Sequence, residues 1–151
     1  MQPRARSAYV TMLVVAVSVV TACPGRPRLP SEEDIREAMA GASELRVRFR
    51  HIVADRGKPR VLDSLSVTDD GGIRTLRDSL RFTGRWTGPY HGRRSPPGAE
   101  VTVCRGDDAV VSFFVEGPSP AMLFETQEGI WKVPVDRRFL ELLFELESHR
   151  K

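Results

Sequence analysis

Leu45-Arg46-Val47-Arg48-Phe49-Arg50-His51 is the stretch on which the fold turns. Apolar residues recur at every second position and arginines fill the gaps, the period of a strand with one buried and one wet face. Downstream, Asp55-Arg56-Gly57-Lys58-Pro59 has turn chemistry, and Val61, Leu65 and Val67 resume the alternation. The two runs read as a hairpin. Upstream, Ser31-Glu32-Glu33-Asp34 opens a helix: Ser31 supplies the cap, Asp34 stands where a capping box wants an acid, and the acids suit the positive helix end. Ile35, Ala38, Met39 and Ala42 then make a helical stripe whose far end Gly41 weakens.

Beyond the hairpin, Asp69-Asp70-Gly71-Gly72 breaks the pattern, and Ile73, Leu76 and Leu80 return at helical spacing, with Asp69 or Asp70 as the candidate cap. Residues Thr83 to Ala99 are rich in Gly and Pro and have no apolar period, so they read as one long loop. Three strands are expected at Val101–Arg105, Ala109–Val115 and Ala121–Thr126, with a short fourth at Ile130–Val133. Asp136 caps a final helix bearing Phe139, Leu140, Leu142, Leu143, Phe144 and Leu146, apolar over a wide arc and therefore buried against the sheet. The expectation is an α+β fold, α-β-β-α-β-β-β-(β)-α, with one antiparallel sheet of five to six strands packed by two or three helices. The turns are too short for the crossovers that parallel strands need.

Composition narrows the function classes. The chain has 151 residues, 40% of them hydrophobic and 28% charged, near the globular average. Twenty arginines and 3 lysines against 20 acids leave +3, too small an imbalance for a nucleic-acid binder. Two cysteines, Cys23 and Cys104, make neither a disulfide framework nor a four-ligand zinc site.

The N-terminus carries an address. Arg4 and Arg6 precede a 13-residue apolar run, Ala8 to Val20, with the proportions of a secretory signal and shorter than a membrane-spanning helix. The run closes on Val20-Thr21-Ala22-Cys23, which resembles the lipobox of bacterial lipoproteins. The resemblance covers residues 1–23 alone. It implies a signal peptide of residues 1–22, cleavage between Ala22 and Cys23, and fatty-acyl chains (palmitate among them) on Cys23. Ordinary secretion is the competing reading, since Val20 and Ala22 also satisfy the common signal peptidase. Two or three acyl chains on one cysteine hold a membrane firmly where one does not. Residues 23–30, with Pro24-Gly25-Arg26-Pro27-Arg28-Leu29-Pro30, read as a semi-rigid spacer standing the 31–151 domain off the membrane. The expected place is the cell envelope, and the outer membrane if the cell has one, because Pro24 is no inner-membrane retention signal.

No catalytic constellation stands out. His51, His91 and His149 lie far apart and lack metal-ligand spacing. Asp69-Asp70 and Asp107-Asp108 have the look of turns rather than calcium loops. Arg105-Gly106-Asp107 falls where two strands need a turn, and Cys104 is expected as a buried, inert thiol under the C-terminal or middle helix. No cofactor, metal or catalytic residue is expected, and the chain reads as a non-enzyme.

The candidate partner-binding residues lie in the long loop. Arg85, Trp86, Tyr90, His91, Arg93 and Arg94 are interleaved there, and no acid occurs between Arg81 and Ala99. Arginines and aromatic rings suit an anionic or sugar-bearing envelope component. The alternative is that Trp86 and Tyr90 fold back to close one end of the core. The function expected is therefore a lipid-anchored envelope lipoprotein with a small non-catalytic binding domain. A structural or assembly partner of another envelope protein is the alternative, and a hydrolase or enzyme inhibitor comes third.

Overall fold

A computed structural model describes residues 28–52, 59–91, 97–117 and 119–149. The expected signal peptide, Ala22, Cys23, the expected spacer as far as Pro27, the turn residues Asp55–Lys58, and Arg93 and Arg94 lie outside the described residues, as does the side chain of His51.

The first helix, α1 (Glu32–Ala40), begins as its sequence predicts. The Ser31 hydroxyl accepts from the Asp34 amide at 3.0 Å, and the Asp34 carboxylate accepts from the Ser31 amide at 2.9 Å. Strands β1 (Glu44–Ile52) and β2 (Pro59–Val67) pair antiparallel, with Leu45 opposite Val67 and Val47 opposite Leu65. Helix α2 (Asp70–Ser79) is capped by Asp69, whose side chain accepts from the Gly72 amide at 2.6 Å. There follow β3 (Thr87–Tyr90), β4 (Gly98–Arg105), β5 (Asp108–Glu116), β6 (Ala121–Thr126), β7 (Gly129–Pro134) and α3 (Arg137–Ser148), the last capped by Asp136.

The result is a mixed α+β fold with one antiparallel sheet of seven strands, in the order β2-β1-β4-β5-β6-β7-β3, and three helices. The expected five to six strands fall short, and the order lacks an element. β3 sits inside the stretch read as a loop, and Phe82 forms a further bridge to Val135. β3 escaped detection because all four of its residues are exposed: an edge strand held by backbone pairing to β7 leaves no hydrophobic period. The same stretch also yields the start of β4 at Gly98, earlier than the first valine.

The inward positions of the strands and one stripe from each helix share a single core. Leu45, Val47, Phe49, Val101, Val103, Phe113, Val115, Met122 and Val133 meet Ile35, Met39, Ile73, Leu76, Phe139 and Leu143, all buried. α2 touches both α1 and α3, so the helices lie side by side on one face. Burying side chains of this size contributes about 1.5–3 kcal/mol each, which makes this layer the source of the fold's stability. Strict alternation places Cys104 opposite Val103, yet both are fully buried. Cys104 keeps its register opposite Glu44 and lies outside the core cluster, with its thiol donating to the Thr102 carbonyl at 3.9 Å; the residue skipped in the pairing is Val110 of β5, which is exposed.

Candidate functional site

The core accounts for one face of the sheet, and among the described residues the other face carries no helix. Cross-strand pairing assembles on it one continuous row, a residue from each strand: Ser64, Arg48, Glu100, Phe114, Leu123, Lys132 and Thr87. Alternation explains this row for every strand but β3, since each member except Thr87 neighbours a core residue in its own strand. The Arg50 guanidinium lies 5.5 Å from the centre of the Phe114 ring and donates to Glu100 at 3.3 Å. Lys132 pairs with Glu116 at 2.5 Å and stands 5.8 Å from the centre of the Tyr90 ring. The face therefore holds arginines at one side, apolar Phe114 and Leu123 in the middle, and Lys132 with Tyr90 at the other. Sequence reasoning grouped none of these across strands, because the pairing register is a long-range fact.

Of the six loop residues, the structure divides the four it describes. Trp86 turns to the helix side, half-buried and packed on the core. Its ring meets Phe82 edge-on at 5.8 Å and Phe124 at 6.4 Å, and its indole N–H donates to the Pro30 carbonyl at 3.0 Å. It closes one end of the core. Tyr90 belongs to the open face instead, 50% exposed, with its hydroxyl donating to Thr87 Oγ1 at 3.1 Å. Gly88 permits this strand to approach β7, because a Cβ there would meet the Ile130 carbonyl oxygen at 2.9 Å and φ is +138°. Arg85 and His91 are exposed, and Arg85 makes no ion pair among the described residues. Trp86 and Tyr90 do not share a surface.

The acids serve as ties. Glu32 receives Arg36 and Arg81, both at 3.5 Å, and the Phe82 amide at 2.7 Å. Glu44 receives Arg46 at 3.0 Å and the Ser66 hydroxyl at 2.5 Å. Those partners hold the Glu44 carboxyl below its ordinary value, Ser66 first and Arg46 second. The Ser31 amide and hydroxyl do the same for Asp34. Arg105-Gly106-Asp107 is a turn, with Arg105 Nε donating to the Gly41 carbonyl at 3.2 Å and the Gly106 amide donating to Ser43 Oγ at 2.8 Å. Among the described residues no helix is long and apolar enough to cross a membrane, and no group of three or more His, Cys, Asp or Glu gathers for a metal ion.

Comparison with protein-family models, with curated proteins and with solved structures finds no match for this chain.

Proposed function

We propose that the protein is an exported lipoprotein, anchored in the cell envelope through Cys23, whose α+β domain binds an envelope component without catalysing a reaction. One observation carries this reading: Val20-Thr21-Ala22-Cys23 stands at the end of a 13-residue apolar run behind two arginines. The Pro- and Arg-rich residues that follow, and a domain whose first helix is capped at Ser31, fit an anchor, a spacer and a head. The non-catalytic reading is supported by the employment of the acids as caps and ion pairs and by the wide separation of the histidines. A second reading, assembly with another envelope protein, is favoured by the uncovered sheet face with its row of charged and apolar side chains.

The decisive experiment is metabolic labelling with a fatty-acid analogue. The wild-type chain takes up label and fractionates with membranes, whereas Cys23→Ser does neither. Equal labelling of the two sinks the lipoprotein reading. Copurification from detergent-solubilised membranes then separates the two partner classes: a stoichiometric protein favours assembly, and cell-wall or lipid material favours binding.

A further inference from the structure

The bond from the Trp86 indole to the Pro30 carbonyl fixes the place where the chain enters the domain. Around that place stand three arginines. Arg28 lies two residues before Pro30, and Arg85 is adjacent to Trp86 and exposed. Arg81 reaches Glu32 in the first turn of α1 while its side chain stays 51% exposed. The acids at this end are largely engaged: Glu32 with Arg36, Arg81 and the Phe82 amide, Asp34 with Ser31, leaving Glu33 exposed. The positive pole of α1 is already met by Glu32, Glu33 and Asp34, so the arginines supply the positive charge here, and Arg26 adds one on the tether.

Five residues lead from Cys23 to Arg28, a reach of at most about 18 Å even in full extension. A lipid on Cys23 thus keeps this end of the domain beside the bilayer. We infer that the end carrying Arg28, Arg81 and Arg85 docks on the anionic phospholipid headgroups of the membrane that holds the anchor. The inference rests on the lipid anchor proposed above. It also sets a direction. Helix α1 leads away from the entry to Gly41, which holds Arg105, so the Arg105-Gly106-Asp107 turn lies at the far end of that helix.

The test uses full-length lipidated protein reconstituted into vesicles of phosphatidylcholine, alone or mixed with phosphatidylglycerol. Hydrogen–deuterium exchange is followed in segments 28–36 and 80–87. The expected result is slower exchange of both segments in the anionic vesicles, reversed by high salt. An arginine near an anionic surface favours docking about fivefold. Arg28→Ser with Arg85→Ser should therefore lower the docked-to-free ratio about 25-fold, and Arg28→Lys with Arg85→Lys should restore it. Equal exchange in the two vesicle types overturns the docking, as does protection that survives the serine variant. A chain that floats with neither vesicle overturns the anchor, and the docking with it.

Discussion

Replacing Trp86 tests whether this residue is a clasp or a ligand platform. In Trp86→Ala the domain loses two ring contacts, to Phe82 and Phe124, and the hydrogen bond to Pro30. Edge-on aromatic pairs contribute about 0.5–1.5 kcal/mol each and a hydrogen bond about 1 kcal/mol, so the expected loss is about 3 kcal/mol. Against a typical net stability of ~5–15 kcal/mol that is a large fraction. Trp86→Phe keeps a ring against its neighbours and loses only the donor, and its expected cost is about 1 kcal/mol. Urea unfolding followed by far-UV circular dichroism measures both. At a slope near ~1.5 kcal/mol per molar urea, the alanine midpoint falls by about 2 M and the phenylalanine midpoint by less than half as much. Trp131 remains in both variants as a fluorescent reporter, since the chain has two tryptophans. An alanine variant within about 0.5 kcal/mol of wild type would refute the clasp.

Two further outcomes follow from the geometry. At Gly98 an added Cβ would overlap the Val115 carbonyl oxygen and crowd Glu116 Cα in the paired strand, so Gly98→Ala should unfold the domain or lower its melting temperature sharply, read by thermal denaturation. Asp34 and Glu44 titrate below their ordinary values of 3.8 and 4.5, so the folded chain binds fewer protons than the unfolded one in acid. Their stabilisation is complete above those values and fades as the pH falls through the depressed folded pKa values. Stability profiles between pH 6 and pH 2 should therefore drop on the acid side, and Ser31→Ala with Ser66→Ala should flatten that drop.

What the sequence revealed depended on how each element earns its place. Ser31 and Asp34, Asp69, and Asp136 announce helix starts through side-chain chemistry that acts within three residues, and all three helices begin where those caps stand. Leu45, Val47 and Phe49 announce a strand because burial on one face imposes period two. β3 had neither signal. It is specified by the backbone of β7 and by the room that Gly88 leaves, and both are visible only once the chain is folded. Composition marked Trp86 and Tyr90 as partners in one surface, yet the two stand on opposite sides of the sheet. The residue that receives the Trp86 indole is 56 positions away, beyond the reach of any local pattern. The open-face row was encoded in alternation, but its membership required the order of seven strands.

The two borders of that sheet are unlike each other. An unpaired border is a template onto which a foreign chain can hydrogen-bond, and natural proteins guard such borders against runaway association. At one border β3 offers four residues, and Pro89 among them has no N–H to give. At the other, β2 runs for nine residues with proline only at its first position. Among the described residues, then, the β3 border lacks a donor at Pro89, whereas no strand pairs with β2 on its outer side. Two copies that met along β2 would join their sheets and leave only the β3 borders outside.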